Sequence, residues 1–451
     1  MNVSVFDVTT VSVSAKEAAR QWLFLGLFSL VFAGLFSLLL VLSRTPFVKE
    51  QIPGVDFFHI ALVVHVDLSV LIWFLSFSAC LWRLSTVQLD PMVHRIAYIL
   101  CLSGTGLVVL SPFLGADRPI LNNYVPVLSH PLFLFGLMLF GLGILIEATD
   151  QFRQGLMRGI GVLFNSPAHL ASWLSASVVL ISVLAVFHAW ISIPGALQET
   201  FFYEVLFWGG GHILQFSHSL LMLTAWIWLL WACYARIVVR NRTIVLFMLI
   251  AVTPIASLPW VYAQGPLDGG ESRFAFTQLM KWGGMATLPL GLSLGVSLFF
   301  LKRPQLNERP YQNALIASLI LFLSGGIIGF MIEGVNVVIP AHYHGSIVGV
   351  TLSFMGMAYF LLPRLGLGPV NSVWAARQPF IYGGGQLLHI IGLAWSGGYG
   401  VQRKTAGAAQ TLDRLPEILG MGMMGLGGLI SIVGGIAFLL IAYGSWKRRV
   451  P

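Results

Sequence analysis

Four histidines lie within long apolar stretches of the sequence: His65, His212, His342 and His344. An ionisable side chain inside a membrane segment is a functional candidate by default. A neutral imidazole is a common ligand of metal ions and of haem iron. His342 and His344 are separated by one residue, so on a helix they point to different sides and can serve two separate metal centres. For any single histidine an interhelical hydrogen bond is an equally good explanation, so the arrangement of the four carries the inference.

The composition shows what kind of protein must position these side chains. The chain has 451 residues, of which 57% are hydrophobic and only 9% charged. Soluble domains contain about 25% charged residues, so the composition indicates an integral membrane protein and excludes soluble enzymes and nucleic-acid-binding proteins. The net charge of +8 fits an excess of basic residues in cytoplasmic loops. The three cysteines form no Cys-x-x-Cys pair, so the chain lacks a disulfide framework and an attachment site for covalent haem.

Twelve apolar runs are each long enough for a helix of about 20 residues to cross a bilayer. None alternates polar and apolar residues, as the strands of a membrane barrel do. The predicted fold class is therefore all-α integral membrane, a bundle of twelve transmembrane helices forming a single membrane domain over residues 1–451. The runs lie near 21–43, 58–82, 93–114, 130–147, 168–192, 206–232, 243–264, 277–300, 312–333, 341–363, 379–397 and 420–443.

The basic residues predict the orientation of these helices. Most of the 25 Lys and Arg residues fall in loops that are cytoplasmic if the N-terminus is inside, so both termini are expected in the cytoplasm. The four histidines then all lie in the outer half of the bilayer, at similar depth. Because scattered structural histidines are not expected to select one layer, the arrangement favours a layer of haem ligands. The expected location is the cytoplasmic (inner) membrane of a prokaryote.

These segments stand in an order that resembles subunit I of the haem–copper oxidase superfamily, which includes oxygen reductases and nitric oxide reductases. Residues 340–345, Pro-Ala-His-Tyr-His-Gly, resemble its helix 10. Residues 62–65 resemble the segment with the helix 2 haem ligand, and residues 206–212 the start of helix 6. Arg403 and Lys404 fall where the family has two basic residues that bond haem propionates. The resemblance extends over helices 2 to 12, nearly the whole chain.

The resemblance implies two haems as cofactors. His65 and His344 would be the axial ligands of a low-spin haem. His342 would be the proximal ligand of a high-spin haem, whose other face stays open for a gas. His212 would face that open side, as a possible ligand of a distal metal. The basic pair that follows helix 11 would neutralise the propionates, for which cationic donors are well suited.

The sequence departs from the family at the distal metal. The family binds its distal copper or iron with one histidine of helix 6 and two adjacent histidines of helix 7. Leu258 and Pro259 occupy the positions of the helix 7 pair, and neither side chain binds a metal. Phe216 stands four residues after the helix 6 histidine, where oxidases carry a tyrosine. Glu204 and Glu333, near the outer ends of helices 6 and 9, are candidates for the carboxylate that nitric oxide reductases place nearby.

The resemblance implies a respiratory-chain membrane oxidoreductase. Electrons from a cytochrome c, a cupredoxin or a quinol would pass from the low-spin to the high-spin haem and reduce oxygen or nitric oxide. A small accessory subunit with the electron-entry site is expected, because the sequence has neither a covalent haem motif nor a soluble domain. The inner half of the bundle is sparse in acidic residues, so we expect no efficient proton pumping.

Two other functions are compatible with the sequence. A relative that keeps the haems but lacks the distal copper or non-haem iron would act in electron transfer, gas binding or gas sensing. A twelve-helix secondary transporter fits the composition, but it leaves the ordered histidines and the basic pair unexplained, and no paired broken-helix signature is evident.

Overall fold

The computed structural model describes residues 8–42, 57–195, 197–234, 239–302, 304–404 and 412–448. Within these residues, eleven helices are long and apolar enough to cross a membrane. A twelfth long helix is less apolar because it contains Gln378, Gln386 and His389. The predicted all-helical membrane fold is confirmed. Arg236, Arg303 and Arg449, three basic residues of the predicted cytoplasmic side, lie outside the described residues.

We number the twelve long helices in chain order. They are α1 (Val13–Leu42), α2 (Phe58–Leu84), α3 (Pro91–Leu114), α4 (Pro131–Arg158), α5 (Pro167–Ser192), α6 (Glu199–Tyr234), α7 (Asn241–Tyr262), α8 (Gly270–Phe299), α9 (Arg309–Phe330), α10 (Val338–Arg364), α11 (Ser372–Gly398) and α12 (Leu415–Lys447).

Three of the helices are interrupted by a turn of different winding, and α3 ends in a 3-10 turn, Ser111–Leu114. In α2 the segment Asp67–Ile72 is a π-helix, directly after His65. Such bulges are rare and are often found at functional sites. In α7 the segment Thr253–Ser257 is a 3-10 helix, because Pro254 cannot donate the backbone hydrogen bond that a regular helix needs. A second 3-10 turn, Gly284–Thr287, interrupts α8.

The three helices that carry the four histidines are the most buried of the eleven apolar spans. In α6 and α10, 89% of the most apolar 18-residue window is buried, and in α2 67%, whereas the value for α12 is 28%. A helix that is apolar on all sides is stable in the interior of a large bundle. The four candidate histidines therefore lie on well-buried helices.

The chain divides into two compact units. The first comprises Met1–Thr224 and Val239–Leu290, and the second Ala225–Val238 and Gly291–Pro451. In the first unit α1 packs on α2, α3 on α4, and α4 on α5. The backbones of α3 and α4 approach closely, because a Cβ atom on Gly104 would lie 2.5 Å from the carbonyl oxygen of Gly136. Small residues allow such close helix packing in membranes.

In the second unit α9, α10, α11 and α12 pack around an apolar core. The contact of α9 with α10 is formed by glycine: a Cβ atom on Gly345 would lie 2.6 Å from the Cα atom of Gly325. The contact of α11 with α12 is similar, since a Cβ atom on Gly392 would lie 2.5 Å from the carbonyl oxygen of Gly420. Many of the 48 glycines of the chain are thus explained by helix packing.

Candidate functional site

His65 lies in the N-terminal part of α2, in the first unit. Its Nδ1 atom is 2.8 Å from the backbone carbonyl oxygen of Ala33 in α1. Two residues later Asp67, which is 1% exposed, begins the π-helical turn. Among the described residues, neither carboxylate oxygen has a hydrogen-bond partner. The π-helical turn thus begins at a buried acid, two residues after a candidate ligand.

His342 lies in the N-terminal part of α10, in the second unit. Its Nδ1 atom is 2.7 Å from the backbone carbonyl oxygen of Gly325 in α9. The imidazole rests on Gly329, where an added Cβ atom would lie 2.6 Å from Nδ1. Two glycines of α9 therefore give His342 its hydrogen-bond partner and the space for its ring.

His344 is half-buried one residue further along α10 than Tyr343. Its imidazole is edge-to-face with that of His389 in α11, with ring centroids 4.9 Å apart. The Nδ1 atom of His389 is 2.9 Å from the carbonyl oxygen of Met424 in α12. Because His342 and His344 have separate neighbours, they are positioned for two different roles.

The hydrogen bonds of His65 and His342 determine the tautomer of each ring. A carbonyl oxygen can only accept, so Nδ1 carries the hydrogen in both pairs. The neutral imidazole then keeps a lone pair on Nε2, the form in which a histidine binds a metal. Metal-binding histidines usually donate their other ring hydrogen to a carbonyl or carboxylate, which fixes the ring. The residues present therefore fit an axial haem ligand at each position.

Arg403 and Lys404 follow α11 and lie beside the start of α10. Gln402 forms an isolated antiparallel bridge with Asn336, and the backbone N–H of Val337 donates to the carbonyl oxygen of Val401 at 3.0 Å. The segment that leads into the predicted basic pair is thus bonded to the residues just before α10, the helix of the predicted ligands His342 and His344.

Lys404 has a left-handed backbone, with φ of 60°. A non-glycine residue adopts this conformation at a cost of roughly 1 kcal/mol. Such outliers are concentrated at ligand and switch sites. The strained backbone at the end of the basic pair supports a binding role for this segment.

His212 lies in α6, in the first unit, and is 3% exposed. Its Nδ1 atom is 2.7 Å from the carbonyl oxygen of Trp208 in the same helix. Three aromatic rings surround the imidazole: ring centroids are 4.7 Å away for Tyr124, 4.8 Å for Trp208 and 5.8 Å for Phe276. Aromatic side chains thus enclose the imidazole of His212.

The helix 7 positions do not fit a distal metal. Leu258 is buried in an apolar cluster of the first unit that also includes Ile213, Phe216 and Val261. Pro259 has no donor atom on its side chain. Among the described residues, no three His, Cys, Asp or Glu side chains are grouped so that they could hold a metal ion. One imidazole is a poor site for copper, which prefers several nitrogen or sulfur ligands.

The two candidate carboxylates lie in different settings. Glu204, in α6, accepts hydrogen bonds from Asn123, one from the backbone N–H at 3.0 Å and one from the side-chain amide. Glu333 lies in the connection between α9 and α10 and is exposed. The Asn336 amide donates to the backbone carbonyl of Glu333 at 2.9 Å. The Glu204 carboxylate is thus engaged with the loop that precedes α4.

Tyr124 is a residue of this site that the sequence analysis did not identify. It comes from the connection between α3 and α4, far from His212 in the sequence, and apolar periodicity carries no signal for such a residue. A local signal does exist. The three consecutive glycines before His212 provide a notch, and a Cβ atom on Gly211 would lie 2.2 Å from Cγ of Tyr124.

Comparison with known proteins identifies a matching family. The family model described as "Cytochrome C and Quinol oxidase polypeptide I" matches residues 17–437. An uncharacterized protein of Rickettsia prowazekii (strain Madrid E) is 31% identical over 496 aligned residues, which cover 94% of this chain and 95% of that protein. An uncharacterized protein of Aquifex aeolicus (strain VF5) is 28% identical over 351 aligned residues, which cover 76% and 84%.

A solved structure has the same fold. A chain in the cryo-EM structure of a heme-copper terminal oxidase dimer superposes with a TM-score of 0.71 at 18% sequence identity. The superposition covers 98% of this chain and 85% of that chain. The similarity therefore extends over the whole set of membrane helices.

Proposed function

Because this chain belongs to the cytochrome c and quinol oxidase polypeptide I family, it is an integral membrane protein of a haem-binding oxidoreductase family, and we propose that it uses two haems for electron transfer and gas binding without a distal metal. In this proposal His65 and His344 ligate a low-spin haem, and His342 alone ligates a high-spin haem. When bound, the haems would supply one-electron redox chemistry and a coordination position for a small gas.

The observation that carries the proposal is the hydrogen bonding of His65 and His342. Each Nδ1–H is held by a backbone carbonyl of a neighbouring helix. A backbone carbonyl cannot be lost by substitution, so the tautomer and the ring orientation are fixed by helix packing. Arg403 and Lys404, which follow α11 beside the start of α10, would neutralise the propionates of a bound haem.

The absence of a distal metal is supported by what replaces its ligands. Leu258 contributes to an apolar cluster, and Pro259 offers no ligand atom. The imidazole of His212 is enclosed by aromatic rings and tied to its own helix. In this setting His212 and its neighbours would shape and polarise a gas site and would not hold copper or iron.

Reduction of oxygen or nitric oxide is the second candidate function. The specific observation in its favour is the phenol of Tyr124 beside His212, since reduction of either gas consumes protons and needs a polar group near the gas. The electrons would come from a cytochrome c, a cupredoxin or a quinol, through a small accessory subunit.

We propose that the chain does not pump protons. The hydroxyl of Thr224 donates to the carbonyl oxygen of Leu220 in its own helix at 2.8 Å, and the Gln312 amide donates to the hydroxyl of Tyr234 at 2.7 Å. The first bond stays within α6 and the second joins α6 to α9 through a single amide. A proton route needs a connected chain of such groups. In proteoliposomes, proton uptake matched to turnover is expected, and ejection above that amount would contradict the proposal.

The test of the proposed function is a count of cofactors in the purified protein. Reduced-minus-oxidised spectra and a pyridine haemochrome assay are expected to give two haems per chain, one of which binds CO or NO. Metal analysis is expected to find no copper and no iron beyond the haems. A third metal ion per chain would contradict the distal-metal part, and a protein without haem would contradict the whole proposal.

A further inference from the structure

His389 in α11 is a second imidazole beside the predicted ligand His344 in α10, and both belong to the second unit. The two rings stand edge-to-face, with centroids 4.9 Å apart and an interplanar angle of 65°. Aromatic rings prefer this arrangement, because the positive edge of one ring meets the negative face of the other. A ring held in such a contact has fewer orientations open to it. The orientation of the His344 imidazole therefore depends on the position of His389.

The ring of His389 is itself bound to a third helix. Its Nδ1 atom lies 2.9 Å from the backbone carbonyl oxygen of Met424 in α12. A carbonyl oxygen can only accept, so Nδ1 carries the hydrogen and donates it. This bond fixes both the tautomer of His389 and the rotation of its ring. A side chain of α11 is thus anchored on the backbone of α12.

Two glycines of α12 make this anchor possible. A Cβ atom on Gly427 would lie 2.4 Å from the backbone nitrogen and 2.9 Å from the Cα atom of His389, so the two backbones approach this closely only because residue 427 is glycine. At Gly428 an added Cβ atom would lie 3.5 Å from Nδ1 of His389, so the imidazole lies directly against α12 at this point. The packing of α11 on α12 thus determines where His389 stands.

The three proposed haem ligands are held in two different ways. Backbone carbonyl groups of α1 and α9 accept directly from Nδ1 of His65 and His342. At His344 the carbonyl of Met424 accepts from His389, and the His389 ring in turn packs against the ligand. A second imidazole therefore links the backbone of α12 to the ligand on α10.

We propose that His389 is a positioning residue for the imidazole of His344, the axial ligand of the low-spin haem. Groups that orient an axial ligand are among the means by which a protein tunes a haem. His389 acts here through its ring contact alone and forms no bond to iron, and no covalent or redox step takes place on it. This inference rests on the proposed function, in which His65 and His344 bind that haem.

The direct test compares two substitutions of His389 in the full-length, haem-loaded protein. His389→Phe keeps an aromatic ring against His344 and loses the hydrogen bond to Met424, whereas His389→Leu loses both. We expect two haems per chain in both variants. The g values of the oxidised low-spin haem in electron paramagnetic resonance and its midpoint potential are expected to shift, more in His389→Leu than in His389→Phe. These g values depend on the angle between the two axial imidazole planes, which a loss of stability alone does not change.

His188→Leu is the matched control for these substitutions. His188 lies in α5, in the first unit, and forms an edge-to-face pair with Tyr262, with ring centroids 5.1 Å apart. The variant removes an imidazole from the same kind of ring pair, but from one that contains no proposed haem ligand. Its g values and midpoint potential are expected to equal those of the wild type.

A second variant tests the anchor on α12. Gly427→Ala leaves His389 in place in the sequence but puts a methyl group 2.4 Å from its backbone nitrogen. It is therefore expected to move His389 and to shift the g values, as His389→Phe does. Gly425→Ala, where an added Cβ atom meets nothing within 4 Å, is the control on the same helix and is expected to leave the g values unchanged.

The outcomes separate this inference from the function on which it rests. If the wild-type protein holds no low-spin haem, the proposed function is wrong and the inference fails with it. If the wild type holds this haem but His389→Leu has the same g values and potential, only the inference is overturned, and a lowered melting temperature would then show a structural role. Loss of the low-spin haem from both His389 variants, with the high-spin haem kept, would also overturn it, because His389 would then be needed for binding the haem.

Discussion

The Nδ1–H of His342 donates to the backbone carbonyl of Gly325, over 2.7 Å. Gly325 is also the residue at which α9 and α10 approach most tightly, since an added Cβ atom would lie 2.4 Å from the backbone nitrogen of Ser346. The close packing of the two helices and the orientation of the imidazole thus depend on the same glycine. A ligand held in this way keeps its geometry as long as the helices stay packed.

A first prediction concerns the glycine beneath the ring. In Gly329→Ala the new Cβ atom would lie 2.6 Å from Nδ1 and 2.8 Å from Cε1 of His342, so the imidazole must move. We expect a shifted absorption band and weaker CO or NO binding at the high-spin haem, with the low-spin haem unchanged. The measurement is a CO difference spectrum with titration.

Gly326→Ala is the matched control for this change. It lies on the same helix, and an added Cβ atom meets nothing within 4 Å. Its spectrum and gas affinity are expected to equal those of the wild type. Equal effects in the two variants would show that the helix, and not the contact with His342, is responsible.

A second prediction separates the two proposed haems. His342→Ala is expected to abolish the high-spin haem and its CO band and to spare the low-spin haem. His65→Ala is expected to remove the low-spin spectrum and to leave the CO-binding haem largely in place. Pyridine haemochrome assays and low-temperature spectra count each species. If both haems vanish in both variants, or neither does in either, the ligand assignment is wrong.

The helices and their histidines were predictable because both have a direct signal in the sequence. Spans of about 20 apolar residues define membrane helices, and His342 and His344 stand out as polar residues in such a span. The π-helical and 3-10 turns within the helices had no such signal in the sequence. The π-helix after His65 requires no special residue type, so it becomes evident only in the three-dimensional structure.

Contacts made by loops could not be predicted in the same way. Tyr124 reaches His212 because Asn122 and Asn123 hold the loop and because Gly211 leaves room for the ring. Each of these residues has an ordinary explanation when read alone, since Asn favours turns and Gly favours close helix packing. The contact follows only from their combination in three dimensions.

A third prediction concerns the packing of α11 against α12. In Gly392→Ala the new methyl group would lie 2.5 Å from the carbonyl oxygen of Gly420 and 2.5 Å from the backbone nitrogen of Met424. Backbone atoms cannot rotate away, so the helices must separate and lose dispersion contacts. We expect a clearly lower melting temperature in detergent.

Gly422→Ala, where an added Cβ atom meets nothing within 4 Å, is expected to be neutral or slightly stabilising, since alanine favours the helix. A normal melting temperature for Gly392→Ala would contradict the packing described.

A fourth prediction concerns a buried group of charges at the C-terminal end of α2. The side chain of Arg83 is 2% exposed and forms ion pairs with Glu147 and, at 2.6 Å, with Asp150, both in α4. Replacement by methionine would keep much of the volume but leave two carboxylates without this partner. Removing one partner of a buried ion pair typically costs about 3–5 kcal/mol, so Arg83→Met is expected to lower the melting temperature strongly or to reduce the folded yield.

Arg153→Ala is the matched control, because its side chain is 52% exposed although it binds the same Asp150, at 2.8 Å. Exposed ion pairs contribute about 0–1 kcal/mol, so this variant should unfold close to the wild-type temperature. The comparison separates burial from charge, since each variant removes one guanidinium from the same carboxylate. If Arg83→Met and Arg153→Ala lower the melting temperature equally, the Arg83 guanidinium must be accessible to solvent. That result would contradict the close packing of α2 against α4 described at this end. If only Arg83→Met unfolds early, the buried ion pairs hold these two helices together and thereby support the position of His65 on α2.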